Sequence, residues 1–314
     1  MPTPNTDPPL APALNWHADA LRRQLATLWP GLAVEVVAQT GSTNTDLLAR
    51  ARGHDGSSAC LRVAEHQSAG RGRQGKAWQS AAGASLTFSL AVPLAPANWS
   101  GLSLAVGLAL AEVLDPADPF APGQRPRLVL KWPNDLLLRD RADAPAGQPA
   151  QQGHPLGRKL GGILIETVAA GARRVAVIGI GLNLLPRPTN ALPASDSALS
   201  WGHASLHELL PGLDAPQALA LVTPALLRAL QAFERSGFAP LQAGYAARDA
   251  LAGQAVSTTL VDLPQGVADG VDSDGTLWLR YRDANGLPQR RALISGEVSV
   301  RAASAAPPAK PPPC

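Results

Sequence analysis

Five short segments carry the residue types that chemistry needs. The stretch Gln67-Ser-Ala-Gly-Arg-Gly-Arg-Gln-Gly-Lys-Ala-Trp78 sets Gly70, Gly72 and Gly75 among Arg71, Arg73 and Lys76. Glycines let the main chain approach a ligand and let a loop close over it. Guanidinium groups match carboxylate or phosphate oxygens as a fork. A solvated basic turn is the alternative. Gly70 to Lys76 also spells the start of a phosphate-binding P-loop, but Ala77 stands where a magnesium-binding hydroxyl belongs. The following segment reads as loop and strand, with no helix N-terminus for phosphates, so the P-loop is rejected.

The second segment is Leu130-Lys-Trp-Pro-Asn-Asp-Leu136, where Lys131 ends an apolar run before a rigid turn. It reads equally as a fixed positive charge or as a hairpin lysine reaching solvent. In Lys159-Leu-Gly-Gly-Ile-Leu-Ile-Glu166, two glycines inside a strand imply close approach by a ligand or chain, or a bulge. Glu166 reads as an outward strand residue or as a group that positions a cation. Gly179-Ile-Gly-Leu-Asn183 hints at dinucleotide binding but lacks the third glycine and a following helix. Gly41-Ser-Thr-Asn44 precedes a helix and fits a cap or a polar reader of a small ligand.

These segments need elements to hold them. Leu21, Leu25 and Leu28 predict a helix over Ala18 to Trp29, ending before Pro30-Gly31. A strand follows over Leu32 to Ala38. Thr43-x-x-Asp46 resembles a capping box and opens a helix running to about Arg52, before Gly53. Leu61 to Glu65 and Ser85 to Val92 read as strands, and Leu102 to Leu114, apolar on most sides, as a buried helix. Leu128 to Trp132 and Leu136 to Arg139 are strands joined by a Pro-Asn-Asp turn. Leu160 to Val168 and Arg174 to Leu184 are strong strands, and 205–250 reads as helical. Beyond Ala252, short strands and turns predict a small all-β module. The implied organisation is a flexible lead at 1–14, a main domain at 15–250 with a mobile Pro/Gly/Gln/Ala-rich insert at 139–157, a module at 251–302 and a low-complexity tail at 303–314.

The 314 residues are 46% hydrophobic, enough for a sizeable core, and 16% charged, with 30 prolines and 29 glycines. Wholesale disorder is excluded. Only Lys76, Lys131, Lys159 and Lys310 are lysines among 27 basic residues, so each retained lysine draws notice. A net charge of +3 suits anionic ligands and is too weak to argue for nucleic acid. Cys60 and Cys314 form no disulfide framework, which predicts a reducing cytoplasm. No apolar run approaches the ~18–20 residues of a membrane span, and the Pro-rich start is no export signal.

Together and in this order, these segments resemble the biotin–protein ligases, the biotin–[acetyl-CoA-carboxylase] ligase family. Gly270-Val-Asp-x-x-Gly275 and Ser295-Gly-Glu-Val-Ser-Val-Arg301 extend the match, which covers about 20–302. The resemblance implies an α+β fold. It consists of a class II synthetase-like catalytic domain with a mixed sheet flanked by helices, then a small SH3-like β-barrel. It implies two half-reactions: the biotin carboxylate attacks the α-phosphate of ATP to give biotinoyl-5′-AMP, and a carrier lysine then takes the acyl group. The carrier is the biotin carboxyl carrier protein subunit of acetyl-CoA carboxylase, and Mg²⁺ is expected with the triphosphate, its ligands unassigned.

By the same resemblance Lys131 and Arg73 are catalytic, Lys131 bridging carboxylate and α-phosphate oxygens. Ser42, Thr43, Asn44, Gln67, Arg71, Gly72, Arg73, Lys131 and Gly162 match biotin-binding positions. Arg71, Arg73, Lys76, Trp78, Lys131, Asn134 and Asn183 match positions facing ATP or the adenylate. Trp78 and Trp132 would supply apolar walls, and Lys159 a supporting contact. Lys76 stands where the family more often has Arg, keeping charge but losing the planar fork. The 139–157 insert separates two site segments, which loop entropy tolerates. Only 41 residues precede Ser42, too few for the winged helix of bifunctional members. The expectation is a cytoplasmic, monofunctional ligase with no nucleic-acid or membrane partner; a homodimer stays open. The rivals are a lipoate or octanoate ligase or transferase of the same fold class, and a biotin-dependent repressor. A transferase would need a nucleophilic cysteine near the site.

Overall fold

The computed structural model describes residues 14–53, 58–116, 125–140, 156–170, 173–186, 202–294 and 300–302. All but Leu14 of the expected lead at 1–14, most of the 139–157 insert, the tail from 303 and most of the 295–301 motif lie outside the described residues.

A seven-stranded mixed sheet forms the centre, in the order β1-β2-β3-β7-β6-β5-β4. Its strands are β1 (Ala33–Thr40), β2 (Cys60–Gln67), β3 (Ser85–Pro93), β4 (Leu128–Lys131), β5 (Asp135–Leu138), β6 (Arg158–Ala170) and β7 (Arg173–Asn183). Only β1 and β2 run parallel; every other neighbouring pair is antiparallel. The helices are α1 (Ala18–Ala26), α2 (Thr43–Arg52), α3 (Leu102–Leu114), α4 (Ala215–Ser236) and α5 (Gln242–Arg248). A second, wholly antiparallel sheet holds β8 (Ala255–Thr258), β9 (Gln265–Val271), β10 (Leu277–Arg282), β11 (Pro288–Leu293) and β12 (Val300–Ala302), ordered β11-β10-β9-β8-β12. That small sheet is consistent with the expected SH3-like module.

Strand alternation decides which face each residue serves. Leu86, Phe88, Leu90 and Val92 of β3 and Ala176 and Ile178 of β7 enter the main core beside α1, α3 and α4. Ala91, Val175 and Val177 point the other way and pack under Leu47, Leu48 and Ala51 of α2. The site lies on this second face. Helix α3 is buried over most of its surface, as its composition predicts, with Glu112 exposed.

Several boundaries differ from expectation for local reasons. Helix α1 ends at Ala26, and Leu28 and Trp29 turn back onto the Leu25 carbonyl ahead of Pro30, which disfavours helix before it. Ser42, not Thr43, caps α2: its hydroxyl accepts from the Thr45 N–H at 3.5 Å. Asp46 cannot complete a capping box because Arg62 and the Thr40 hydroxyl hold its carboxylate at 2.9 and 2.6 Å. The helical run predicted over 205–250 divides. A 3₁₀ turn occupies Leu206–Glu208, α4 starts from a capping box between Asp214 and Gln217, and Gly237, at φ +65°, ends it.

Candidate active site

A cavity of about 200 Å³ opens where the α2 face of the sheet loses its side chains. Directly opposed residues on antiparallel strands share a face. One such row crosses five strands: Thr87 opposite Gly181, Gly181 opposite Gly162, Gly162 opposite Asp135, and Asp135 opposite Lys131. The next row pairs Ser89 with Gly179 and Gly179 with Leu164. Glycines thus make the floor. A Cβ on Gly179 would strike the Asn44 amide, and one on Gly181 the Trp78 indole. These two glycines are seats for side chains, so the dinucleotide hint is set aside. The Gly161-Gly162 pair is also explained: β6 bulges there, since Leu136 faces Gly161 while Leu137 faces Lys159.

The glycine-rich segment forms one wall. It folds back as a tight hairpin, with Trp78 N–H donating to Gly70 at 2.8 Å and Gly72 N–H to Lys76 at 2.7 Å. Arg71 bridges Ala77, and Arg73–Gly75 form a 3₁₀ turn with Gln74 and Gly75 at positive φ. There is no helix after the glycines, in agreement with rejecting a P-loop.

The start of α2 supplies the polar end. Gln67 Oε1 accepts from the Thr43 N–H at 2.8 Å and lies 3.1 Å from the Thr43 hydroxyl. Because a main-chain donor fixes that oxygen, Gln67 Nε2 is left as a donor. Thr43 and Ser89 hydroxyls are 2.7 Å apart, and Ser89 donates to Asn44 Oδ1 at 2.6 Å.

The charged end sits on β4, β5 and β6. Lys131 is only 8% exposed, so it does not reach for solvent. Its Nζ lies 3.6 Å from Asp135 Oδ2, and Lys159 Nζ donates to Asp135 Oδ1 at 2.7 Å. Burial would raise the Asp135 carboxyl, but Lys159 and Lys131 together outweigh it and hold the group down at about 2. Burial lowers Lys131, with Asp135 opposing. Two lysines thus share one carboxylate at this end of the cavity. Arg73, lowered by burial, donates to Asn134 Oδ1 at 3.3 Å. Asn134 in turn donates to the Ile163 carbonyl at 2.8 Å. Two further polar atoms in the lining, Trp78 Nε1 and Asn183 Oδ1, are buried without a partner among the described residues.

Every predicted site residue lines this cavity: Ser42, Thr43, Asn44, Gln67, Arg71, Gly72, Arg73, Lys76, Trp78, Lys131, Asn134, Gly162 and Asn183. Trp132 does not. It is fully buried, and its Nε1 donates to the Gly275 carbonyl at 3.1 Å, so it ties the site turn to the second sheet. Sequence reasoning missed Ser89 and Asp135 and undervalued Lys159. Ser89 carried no local signal, whereas Asp135 stands in the same motif as Lys131. Cys60 starts β2 under α2, away from the cavity, and burial pushes its thiol up to about 11, which suits no thiolate nucleophile. No helix among the described residues is long and apolar enough to cross a membrane.

A mixed sheet whose one face holds a cavity between a glycine-rich loop and a lysine pair defines a class. Residues 36–183 match the model of the biotin/lipoate A/B protein ligase family. Within that class, the chain is 36% identical to the biotin–[acetyl-CoA-carboxylase] ligase of Mycobacterium tuberculosis, over 83% of this chain and 88% of that one. It is 32% identical to the bifunctional ligase/repressor BirA of Escherichia coli, over 90% and 78% respectively. The chain belongs to the biotin–protein ligase family. Its fold is that of a biotin protein ligase from Aquifex aeolicus solved in complex with biotin and ATP, with a TM-score of 0.62 at 22% identity over 86% of this chain and 99% of that one.

Proposed function

We propose that this chain biotinylates one lysine of the biotin carboxyl carrier protein of acetyl-CoA carboxylase, with ATP, through biotinoyl-5′-AMP. The observation that carries this reading is the joining, in one cavity, of a neutral polar end and a cationic end. A ligand with a uncharged polar ring at one end and a carboxylate at the other fits that polarity.

Ser42, Thr43 and the free Nε2 of Gln67 offer the donors and acceptors a ureido ring requires, since buried polar edges are costly when unpaired. Lys131, Lys159 and Arg73 face the place where carboxylate and triphosphate must meet, and such fixed charge counters the repulsion of two anions. Lys159 therefore shares the role that the resemblance gave to Lys131. In the first half-reaction a carboxylate oxygen attacks the α-phosphorus and the bond to pyrophosphate breaks. In the second, the carrier ε-amine attacks the acyl carbon, loses a proton, and AMP leaves with the bonding pair. Trp78 Nε1 and Asn183 Oδ1 give a nucleotide one donor and one acceptor, and the 67–78 hairpin shields the anhydride from water.

The described residues contain no cluster of three His, Cys, Asp or Glu side chains. Asp135, the carboxylate among the lining residues, already pairs with two lysines. A protein-built magnesium cage does not fit here; the ion would arrive on the triphosphate. A cytoplasmic location fits ATP as co-substrate. We assign the chain no DNA partner, which a gel shift at physiological salt tests.

The decisive experiment is Lys131→Ala. Biotin-dependent pyrophosphate release should fall by about 10²–10³-fold while biotin still binds. Normal release would overturn the role. Labelled biotin and labelled lipoate, each with ATP and carrier, separate the family's two chemistries; transfer of lipoate alone would reverse the assignment.

A further inference from the structure

Glu166 does not line the cavity, yet it joins two elements that do. It lies on β6 opposite Val177, whose side chain packs under α2. Its Oε1 accepts from Arg71 Nη2 at 3.0 Å, and its Oε2 accepts from Arg71 Nη1 at 3.4 Å and from Asn44 Nδ2 at 3.0 Å. Asn44 is engaged at both ends, since Nδ2 also reaches the Leu164 carbonyl at 3.4 Å and Oδ1 takes the Ser89 hydroxyl. The Ser89 proton points to Asn44, which leaves its oxygen to accept from Thr43. Thr43 in turn holds Gln67 through its main chain. One polar row thus runs beneath the glycine-rich segment, from Gln67 at its start to Arg71 within it.

We propose that Glu166 is a positioning residue, the latch that holds the glycine-rich loop over the cavity through Arg71 and couples it to the polar residues at the start of α2. The three loop glycines leave the segment little intrinsic preference for one conformation, so a two-point ion pair to a rigid strand selects the closed one. Asn44 then acts as a strut rather than a free reader of ligand. The consequence for turnover rests on the ligase reading; the consequence for loop order does not.

Glu166→Gln tests the latch selectively. The Gln carbonyl still accepts from Asn44, but its NH₂ group cannot accept from Arg71. In the ligand-free full chain, tryptic cleavage after Arg73 and Lys76 should become about two- to fivefold faster, the range a partly exposed ion pair supports. The thermal midpoint of global unfolding should be unchanged. Arg71→Gln, on an exposed side chain, should give the same acceleration, and the double variant should be no faster than either single one. Unchanged cleavage in Glu166→Gln, or singles that multiply in the double, would overturn the latch. With biotin and ATP, release of biotinoyl-5′-AMP from Glu166→Gln should quicken by a similar factor, with first-turnover pyrophosphate release preserved. Slower pyrophosphate release at unchanged adenylate retention would also overturn it. If the wild type forms no adenylate, the ligase reading fails, while the cleavage cycle still judges the latch.

Discussion

At the scale of single residues, the site depends as much on missing side chains as on present ones. Gly179 and Gly181 occupy positions where β7 has just packed Val175 and Val177 under α2, and their emptiness admits Asn44 and Trp78. Alanine at either position would overpack a filled space, a change that destabilises by about 1–3 kcal/mol. The two variants should divide by substrate. Gly181→Ala displaces the indole and should raise the KM for ATP, whereas Gly179→Ala pushes on Asn44 and should raise the KM for biotin. Steady-state kinetics with each substrate varied, beside urea denaturation, checks both. The sequence showed these glycines and suggested a nucleotide. It could not show their true neighbours, because Asn44 and Trp78 lie far away along the chain. Glu166 was legible only as a choice between an outward residue and a group that positions a cation. The second reading holds, and the cation is Arg71.

At the scale of elements, local signals were strong where short-range physics dominates and weak where a distant partner competes. Helix α3 spans the predicted Leu102–Leu114, since a segment apolar on most sides has one option, burial. The capping box failed because Arg62 on β2 offers Asp46 a full charge in place of a main-chain N–H. The turn after β4 shows the same competition. Trp132 follows Lys131 and precedes the lining residues Pro133, Asn134 and Asp135, yet its indole turns to Gly275 in the turn between β9 and β10. Gly275 packs on Gly101 at the start of α3, so this contact has no room for a larger side chain. Trp132→Phe keeps most of the ring and removes the donor. Leaving the Gly275 carbonyl unpaired should destabilise by about 1–3 kcal/mol, measurable as a lower urea midpoint, and should weaken ATP use through the loosened turn.

At the scale of the whole molecule, two buried carboxylates respond to pH in opposite senses. Asp135 is held down by its lysines, whereas burial pushes Asp249 up to about 6 from an ordinary 3.8, against the Leu251 and Ala252 N–H groups and Arg139. Below the ordinary value, folded and unfolded chains both keep the Asp249 proton and nothing is lost. As pH rises towards 6 the unfolded chain ionises first, so stability falls through that window. Asp249→Asn should therefore gain on the wild type as pH rises from 4 to 6, reaching about 1–3 kcal/mol at neutral pH; urea titrations across that range check the sign. Asp249 adjoins β4, where Ala250 N–H donates to the Leu130 carbonyl, so the effect reaches the strand that carries Lys131. The sequence by itself determined the main strands, the buried helix and the basic glycine-rich loop, because alternation, apolar periodicity and motif spacing express interactions between near neighbours, whereas the lining residues it named came from the family resemblance. Only the tertiary structure decided that Lys159 shares a carboxylate with Lys131, that the Trp132 indole bonds Gly275, and that Glu166 pairs with Arg71 of the loop. Those outcomes join groups as far apart as 143 positions, Trp132 to Gly275, and 122 positions, Asn44 to Glu166. Such partners are chosen by the packing of the whole chain, which no local pattern encodes.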